Sequence, residues 1–211
     1  MTTIGIFGTG GLAREAGDVA AALGWRTLYI ARDVQEHAAW SADDDIVLEA
    51  EIERYADMAF VIGIGAGLLR EGLARRFAGR LRFANLIHPD ASFGKGQRAA
   101  VEGGTGIMIF SGARLSNNLG IGNFVIVNPN ATIGHDTILE DFVTICPGAN
   151  VSGNVHIGKR AWIGAGAVIN QGTATRRLTI GADTVIGSGA VVVTDCEAGA
   201  TYAGVPARRL R

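Results

Sequence analysis

Four histidines could carry out proton transfer, and one of them stands out from its surroundings. They are His37, His88, His135 and His156. His135 follows Gly134 in a stretch otherwise built of small residues, and an imidazole with an ordinary pKa of about 6.5 can accept a proton near neutral pH. Asp136 comes next and could fix the ring tautomer, but adjacent strand residues point to opposite faces. The pair therefore predicts a general base only where the chain turns a corner; otherwise His135 is a surface histidine.

A six-residue repeat must position this pair. From Ile109 onward an aliphatic residue returns at every sixth position, and after an interval of eleven residues the series resumes at Ile180. Because six is even, strand alternation brings the same aliphatic side chain inward each time. The repeat predicts short strands stacked as the three flat sides of a parallel β-helix around an aliphatic column. The repeating residues are Ile109, Leu115, Ile121, Val127, Ile133, Leu139, Ile145, Val151, Ile157, Ile163, Ile169, Ile180, Ile186 and Val192.

Glycine accounts for 31 of the 211 residues, against an average share of about 7%. In six hexads it directly follows the repeating aliphatic residue. We expect glycine to supply unusual backbone angles at the corners of the prism, and small residues to let its walls approach closely. These hexad glycines are Gly122, Gly134, Gly158, Gly164, Gly181 and Gly187.

Several stretches of the repeat match a known pattern. They are Gly-Ala-Gly-Ala-Val-Ile at 164–169, Gly-Ser-Gly-Ala-Val-Val at 187–192 and the ending Tyr-Ala-Gly-Val-Pro-Ala-Arg at 202–208. They resemble the hexapeptide-repeat acyltransferases. The resemblance implies a left-handed prism, which the period alone does not show, and a homotrimer with active sites between subunits. Apolar outer positions such as Trp162 and Phe142 could meet around the threefold axis.

Residues 1–87 predict a different architecture, a small Rossmann-like α/β unit with a parallel sheet. Strands are predicted at Ile4–Phe7, Thr27–Ile30, Ala59–Ile64 and Arg82–Ile87, with a helix at about Leu12–Leu23. We expect the all-β left-handed parallel β-helix to occupy residues 88–197 and a C-terminal tail residues 198–211. The α/β unit would cap one end of the prism and the tail the other, which shields the open strand edges.

The first strand leads into a glycine turn. Gly8-x-Gly10-x-x-Ala13 fits a dinucleotide fingerprint, and Asp33 lies twenty residues beyond Ala13. Such a turn exposes backbone N–H groups that can hold a phosphate, although its glycines could simply permit tight strand–helix packing. With about ninety residues before the repeat, a nucleotide or nucleotide-sugar is a better fit than NAD. The candidate substrate-binding residues here are Gly8, Gly10, Gly11, Leu12, Asp33 and Gly63.

A combination of motifs narrows the resemblance. Asn-Leu-Ile-His-Pro at 85–89 follows the α/β unit, and Ile-Gly-His-Asp at 133–136 lies in the hexads. Over essentially the whole chain this resembles the NeuD/PglD-like sugar acetyltransferases, which act on sialic acids or on amino sugars attached to nucleotides. The resemblance implies acetyl-CoA as cosubstrate, no metal, and N-acetylation of a nucleotide-linked sugar of the 4-amino-dideoxy type. O-acetylation of sialic acid or another sugar is the alternative.

The same resemblance implies roles for individual residues. His135 would be the base, Asp136 its helper, and the backbone N–H of Gly153 the oxyanion donor. Lys159 and Arg160 are read more simply as a solvated corner than as ligands of a CoA phosphate. The other implied contacts are Gly153, Ala165, Ser188, Gly204 and Pro206 along the CoA arm and Asn128 near the acceptor sugar, with Arg208 and Arg209 undecided.

The chain departs from the family pattern at three places. Leu12 stands where many relatives have a histidine, and Thr144 where some carry a second active-site histidine. The interval from Ile169 to Ile180 holds five residues too many, which predicts an extruded segment at Thr173–Arg177. That segment could line the CoA groove or decorate a corner.

The composition of the chain limits the kinds of partner it can bind. The net charge of −1, without a cluster of Lys and Arg, argues against a nucleic-acid partner. The longest apolar runs fall short of the about 20 residues of a membrane span. Two cysteines without metal-type spacing favour a reduced state. We therefore expect a cytoplasmic protein with no membrane span.

Three rival functions remain open to comparison. A γ-class carbonic anhydrase shares the prism but needs three zinc histidines, and the repeat holds only His135 and His156. An NAD-dependent enzyme would use the glycine turn. A binding or structural module would have a degenerate site, against which the His135–Asp136 pair and Gly153 argue.

Overall fold

The computed structural model describes residues 2–41 and 43–210, so Met1 and Arg211, the outer ends of the predicted domains, lie outside the described residues, as does Ala42. The N-terminal unit is a five-stranded, all-parallel sheet. Its elements are β1 (Thr3–Phe7), α1 (Gly11–Ala22), β2 (Arg26–Ala31), α2 (Val34–Ala38), β3 (Asp45–Leu48), a 3₁₀ helix (Glu49–Tyr55), β4 (Ala59–Ile62), α3 (Gly67–Arg76) and β5 (Arg82–Phe83). The strand order β3-β2-β1-β4-β5 confirms the predicted small parallel sheet, while β3 and α2 were not predicted.

Two glycines explain how α1 lies on this sheet. Gly24 adopts a left-handed backbone (φ +71°) just after Leu23, and so ends the helix. A Cβ on Gly17 would lie 1.9 Å from the hydroxyl oxygen of Tyr29, so only glycine lets α1 pack this closely against β2. The helix thus presents its first turn at the edge of the sheet where β1 ends.

The rest of the chain forms a three-sided parallel prism, as the repeat predicts. Its sheets run β6-β8-β11-β14-β17-β20-β22-β23, β7-β9-β12-β15-β18-β21 and β10-β13-β16-β19, with aliphatic residues buried inside. The predicted strand Arg82–Ile87 is divided, since β5 joins the α/β sheet while β6 joins the prism. The strands are β6 (Leu86–Ile87), β7 (Ser92–Phe93), β8 (Met108–Ile109), β9 (Arg114–Leu115), β10 (Gly120–Ile121), β11 (Ile126–Val127), β12 (Thr132–Ile133), β13 (Ile138–Leu139), β14 (Thr144–Ile145), β15 (Asn150–Val151), β16 (Val155–Ile157), β17 (Trp162–Ile163), β18 (Val168–Ile169), β19 (Leu178–Ile180), β20 (Val185–Ile186), β21 (Val191–Val192), β22 (Thr201–Ala203) and β23 (Arg208–Arg209).

The three edges of the prism, where one sheet gives way to the next, carry different residues. The histidine edge comprises residues 116–119, 134–137, 152–154, 170–177 and 193–195. The docking edge comprises 122–125, 140–143, 158–161 and 181–184. The tail edge comprises 110–113, 128–131, 146–149, 164–167, 187–190 and 204–206.

The turning residues of these edges are mostly not the hexad glycines. A left-handed backbone is adopted at the histidine edge by Asn118, Asp136 and Asn154, at the docking edge by Phe124, Phe142, Arg160 and Asp183, and at the tail edge by Gly112, Asn130, Gly148, Gly166 and Gly189. The hexad glycines instead allow adjacent coils to touch: a Cβ on Gly134 would lie 2.5 Å from the nitrogen of Gly153, and one on Gly164 2.6 Å from the oxygen of Ile186. The prediction that glycine supplies corner angles is therefore confirmed at the tail edge, while the hexad glycines serve the close approach of the coils.

The register of the strands confirms the predicted extrusion. Thr144 pairs with Trp162, eighteen residues on, whereas Trp162 pairs with Val185, twenty-three residues on. The five additional residues leave the pairing intact because Thr173–Arg177 lie outside the strands.

The two ends of the prism are covered differently from expectation. Helix α4 (Gln97–Glu102) closes the first coil: Gln97 donates to the oxygen of Leu119 at 3.2 Å and accepts from its nitrogen at 2.9 Å, and Val101 is fully buried in the aliphatic column. The prediction that the α/β unit caps this end was thus wrong. At the other end β23 pairs antiparallel to β22, and Ala207 packs into the column, as predicted for the tail.

The α/β unit instead lies along the docking edge, where Arg70 of α3 joins it to the prism. The side chain of Arg70 is fully buried and donates to the backbone oxygens of Phe124 (2.9 Å) and Phe142 (2.6 Å). It also donates to those of Ile64 and Gly65, both at 2.7 Å. Burial lowers the pKa of Arg70 to about 9, and the carbonyl dipoles compensate a cation that still holds its proton at neutral pH. One side chain therefore ties the end of β4 to two coils.

Glu71 forms an ion cluster beside Arg70. Its buried carboxylate accepts from Lys159 Nζ and from Arg160 Nη1, both at 2.7 Å, and Arg160 also pairs with Asp183. The hydrogen bond from Lys159, followed by that from Arg160, lowers the pKa of Glu71. The reading of Lys159 and Arg160 as a solvated corner was wrong, because both bind α3.

The apolar residues expected at a threefold axis also meet the α/β unit. Phe142 is buried and stacks on Phe124, with ring centroids 5.1 Å apart, and Phe124 contacts Phe83 edge-on. Trp162 lies against Gly65, where a Cβ would come within 3.1 Å of its ring. Both aromatic side chains therefore already have packing partners within the same chain. Across the described part of the chain, no helix is long and apolar enough to cross a bilayer.

Candidate active site

The histidine edge brings the two predicted catalytic residues into contact. Asp136 takes the left-handed backbone (φ +60°) that turns the chain, which supplies the corner the pair requires. His135 Nδ1 and Asp136 Oδ2 are 2.7 Å apart. The His135 side chain is 64% exposed, so its other ring nitrogen is open to an incoming molecule. With Nδ1–H donated to the carboxylate, Nε2 carries the lone pair.

The carboxylate of Asp136 has a second hydrogen-bond partner, Asn118, which was not predicted from the sequence. Asn118 Nδ2 donates to Asp136 Oδ1 at 2.5 Å, and this hydrogen bond, followed by that of His135, lowers the pKa of Asp136. Asn118 precedes Asp136 by eighteen residues, one full coil, as the strand register shows. That spacing is the signal that could have found it. Asn118, Asp136 and His135 form a line of hydrogen bonds ending at the exposed ring.

Gly153 lies directly under the imidazole, one coil further along. A Cβ on Gly153 would lie 2.6 Å from His135 Nε2, so this position accepts the ring only as glycine. Asn154 N donates to the oxygen of His135 at 2.7 Å, which fixes the two coils to each other. Among the hydrogen bonds of residues 2–41 and 43–210, none is made by the N–H of Gly153. A free donor and a free base thus lie on neighbouring coils.

A second histidine pair in the prism has a different environment. His156 Nε2 lies 2.8 Å from Glu140 Oε1, and the other oxygen of Glu140 accepts from the nitrogen of Lys159 at 2.8 Å. The His156 side chain is about half as exposed as that of His135 (35% against 64%). The pair joins a sheet face to the docking edge.

Four of the five residues expected along the CoA arm lie on another edge, whereas Gly153 lies under His135. Ala165, Ser188, Gly204 and Pro206 belong to the tail edge, so one chain does not bring them to His135. Asn128 is also there, but its side chain is buried and donates to the oxygen of Ile145 at 2.8 Å. This side chain therefore joins two neighbouring coils within the chain.

The glycine turn has the open backbone that a phosphate needs. A Cβ added to Gly10 or Gly11 would meet no atom within 4 Å, and Gly10 precedes the first turn of α1. Gly8 adopts φ +104°, which only glycine tolerates well. Leu12 packs in the core cluster beside α1, and Gly63 is a packing glycine whose Cβ would lie 2.7 Å from Ala13 Cα. Of the predicted set, Gly8, Gly10 and Gly11 face the opening.

Asp33 stabilises the beginning of α2. It caps α2 by accepting from the nitrogens of Gln35 (3.0 Å) and Glu36 (2.9 Å), and it pairs with Arg32. The backbone hydrogen bond from Glu36 is the main cause that lowers its pKa. Its carboxylate is therefore already bound.

Glu36, which was not predicted as a site residue, forms a hydrogen bond with the glycine turn. Its Oε1 accepts from Thr9 Oγ1 at 2.5 Å and its Oε2 from the nitrogen of Arg32 at 2.6 Å. It borders a cavity of about 190 Å³ whose other walls include Gly8, Ile30, Ile64, Leu73 and Arg76. An apolar cavity beside a phosphate-type turn has the form of a nucleotide pocket.

The remaining features are possible metal-binding groups and the two arginines of β23. No group of three or more His, Cys, Asp or Glu side chains suited to a metal ion occurs in the part of the chain that the structure describes. Arg208 and Arg209 are exposed on β23, where Arg209 pairs with Glu197.

Comparison with known proteins supports the reading of this site. No protein-family model matches the chain. GDP-perosamine N-acetyltransferase of Escherichia coli O157:H7 is 44% identical over 108 residues, which is 51% of this chain and 49% of that protein. This chain therefore spans about half the length of that curated relative.

Two solved structures match over the full length. The acetyltransferase domain of PglB from Neisseria gonorrhoeae FA1090 has a TM-score of 0.86 and 27% identity, covering 100% of both chains. PerB from Caulobacter crescentus, solved in complex with CoA and GDP-perosamine, has a TM-score of 0.84 and 25% identity, covering 100% of this chain and 98% of the other. These similarities confirm the predicted resemblance to NeuD/PglD-like sugar acetyltransferases.

Proposed function

We propose that the chain catalyses acetyl-CoA-dependent N-acetylation of a nucleotide-linked sugar of the 4-amino-dideoxy type, because it is similar to sugar N-acetyltransferases. The observation that carries the proposal is the histidine edge, where an exposed imidazole bonds a carboxylate and lies over a glycine with a free amide. A relative of the same fold was solved with CoA and a GDP-linked amino sugar, which supports these two substrate classes.

The reaction begins at the ring of His135. Its Nε2 takes a proton from the acceptor amine as the amine nitrogen attacks the thioester carbonyl. The new carbon–nitrogen bond places negative charge on the carbonyl oxygen, and the N–H of Gly153 donates a hydrogen bond to it. When the carbon–sulfur bond breaks, the departing CoA thiolate takes the proton from His135. Asp136 accepts the Nδ1–H bond throughout and stabilises the imidazolium.

The nucleotide end of the acceptor would bind at the α/β unit. The N–H groups at Gly10 and Gly11 open onto the start of α1, where a diphosphate is favoured. The base would enter the cavity of about 190 Å³ beside Glu36. This assignment replaces Asp33 by Glu36 as the carboxylate nearest the ligand.

The same proposal includes an assembly. Because four of the five predicted CoA contacts lie on the tail edge, away from His135, a complete site needs a second chain. We propose a homotrimer of left-handed prisms with the site between subunits. We also propose the division into residues 1–87, 88–197 and 198–211, except that Leu86–Ile87 pair with the prism. Both cysteines are buried free thiols, which supports a reducing, cytoplasmic location.

Thiol release from acetyl-CoA tests the proposal. A free-thiol dye would follow the reaction with GDP-, UDP- and dTDP-linked 4-amino sugars and with free sialic acids. Burial raises the pKa of Cys146 to about 12 and that of Cys196 to about 11, so the folded protein contributes little background.

We expect release with at least one amino-sugar nucleotide and none without an acceptor. Release with hydroxyl acceptors alone would replace the proposal by O-acetylation. No release from any acceptor, with CoA still bound, would contradict it.

A further inference from the structure

The segment Thr173–Arg177 emerges beside the proposed site. Just before it, the nitrogen of Gly172 donates to the oxygen of Gly153 at 3.0 Å, so the segment begins one coil beyond the glycine that lies under His135. It belongs to the histidine edge, as do His135 and Asp136. The five additional residues are therefore placed next to the reacting groups rather than at either of the other edges.

Hydrogen bonds hold the segment in a defined shape. Thr173 N donates to the oxygen of Arg176 at 2.8 Å, and Arg176 N donates to Thr173 Oγ1 at 3.1 Å, which closes a tight turn. Asn154 Nδ2 donates to the oxygens of Thr173 (2.5 Å) and Arg176 (3.4 Å). The turn is thus fixed to the coil that carries Gly153.

The two arginines of the segment have different partners. Arg176 forms an ion pair with Asp195, whose other oxygen accepts from the nitrogen of Thr179 at 3.0 Å. Arg177 Nε donates to the backbone oxygen of Asp136 at 3.3 Å. Within residues 2–41 and 43–210, Arg177 forms no ion pair with a carboxylate. Its charge therefore lies beside the His135–Asp136 pair, where, after the hydrogen bonds from Asn118 and His135, it helps to lower the pKa of Asp136 without forming an ion pair.

A cavity adjoins this unpaired guanidinium. It has a volume of about 360 Å³, and its walls include Arg176, Arg177, Thr173, Thr194 and Asp195. Because Asp195 is already paired with Arg176, Arg177 contributes the positive charge that the cavity offers to a ligand. Guanidinium groups bind phosphate through paired, charge-assisted hydrogen bonds.

We propose that Arg177 binds a phosphate group of a substrate and positions that substrate at His135. The inference rests on the proposed function, in which both acetyl-CoA and the nucleotide-linked sugar carry phosphates. The two substrates share the chemistry that Arg177 recognises, and the experiment below separates them. Arg177 is a substrate-binding residue in this proposal and takes no part in proton transfer.

Steady-state kinetics of Arg177→Ala would test the inference, with Arg177→Lys and Arg176→Ala as companions. Each enzyme would be assayed with acetyl-CoA against acetyl-pantetheine, which lacks phosphate. Each would also be assayed with the nucleotide-linked amino sugar against the free amino sugar. Loss of a charge-assisted hydrogen bond predicts a rise in KM of about 10-fold or more for one phosphate-bearing substrate, with its phosphate-free analogue unchanged. Arg177→Lys should recover part of the loss, and Arg176→Ala should change KM less than Arg177→Ala does.

The pattern of the losses identifies the source of the phosphate. A rise confined to acetyl-CoA assigns the donor, and a rise confined to the nucleotide-linked sugar assigns the acceptor. Equal losses with and without phosphate would overturn the inference, because they would indicate a local structural role. Unchanged KM values throughout would overturn it as well.

Calorimetric titration with CoA and with GDP keeps this test separate from the proposed function. If the wild-type chain acetylates no amino-sugar nucleotide, the proposed function fails while the titrations still report on Arg177. A weaker Kd for either ligand in Arg177→Ala supports phosphate binding. Equal Kd values for both ligands in the two proteins would reject it.

Discussion

The histidine edge and the docking edge use the same backbone turn for opposite purposes. Asp136 and Arg160 both adopt a left-handed backbone with φ +60° at a corner of the prism. At the docking edge, Arg160 lies against α3 and binds Glu71 and Asp183. At the histidine edge, the ring of His135 has one partner and is mostly exposed. Polar residues at equivalent turns therefore stabilise the molecule in one place and remain open to solvent in the other.

What separates the two edges is coverage by the rest of the chain. The α/β unit covers the docking edge, so every polar group there must find a partner inside the molecule. Nothing of the described chain covers the ring of His135 in this way. A residue's position in the repeat thus does not determine its role, and its surroundings do.

The largest effect expected is on turnover in His135→Ala. Removal of the base should lower turnover by about 10²–10⁴-fold, because proton transfer by a positioned side chain contributes on that order. The free energy of unfolding should stay close to the wild-type value, since the ring is 64% exposed. Thiol release and chemical denaturation measure the two quantities.

His156→Ala is the matched control for that variant, because it also removes a histidine paired with a carboxylate in the prism. It should leave turnover within a few-fold of the wild type. Turnover in His135→Ala that equals that of the control would eliminate His135 as the base.

Arg70→Met should give the largest effect on stability. Methionine fills much of the volume but leaves the backbone oxygens of Ile64, Phe124 and Phe142 without their donor. Buried acceptors left unpaired predict a loss of about 3 kcal/mol or more in the free energy of unfolding, measured by urea denaturation.

Arg54→Met provides the comparison for Arg70→Met. Arg54 is 75% exposed, and its ion-pair partner among the described residues is Glu51. Its substitution should therefore change the free energy of unfolding by no more than about 0.5 kcal/mol. Similar losses of unfolding free energy in the two variants would show that the burial of Arg70 at the docking edge does not make it more important for stability than an exposed arginine.

A smaller effect is expected from Glu71→Gln, and it depends on pH. Because Lys159 and Arg160 lower the pKa of Glu71 below its usual 4.5, the folded chain binds fewer protons than the unfolded chain in that range. The stabilisation is complete above about pH 4.5 and is lost as pH falls through the folded-state pKa.

Glu71→Gln should therefore be less stable than the wild type at pH 7, by about 1 kcal/mol, with a difference that shrinks below pH 4.5. Denaturation curves between pH 3 and pH 7 measure this trend. A difference that does not change with pH would mean that Glu71 acts through packing alone.

Features set by local sequence could be predicted from it. The six-residue period identified the prism, and the eleven-residue interval located the insertion at Thr173–Arg177, because both follow from strand alternation. His135 and Asp136 could be paired because they are neighbours in the chain. Asn118 was within reach too, since it lies one coil before Asp136.

Contacts between distant segments could not be predicted. Arg70 meets oxygens more than fifty residues away, and Glu36 meets Thr9 across the crevice of the α/β sheet. The capping bond of Asp33 and the buried hydrogen bond of Asn128 were not predicted either, because the motif positions of these residues did not indicate them. The contacts of Arg70 depend on how the α/β unit packs on the prism, which the repeat does not encode. The other contacts lie within one unit and depend on side-chain conformations that motif positions do not specify.

The strand register that jumps from eighteen to twenty-three residues has an evolutionary consequence. The aliphatic column tolerates added chain at the histidine edge because the coils resume their pairing after it. Selection can therefore rewrite the segment beside His135 without re-optimising the folding core. For the protein engineer, the same corner is a place where residues can be exchanged without disturbing the strand pairing.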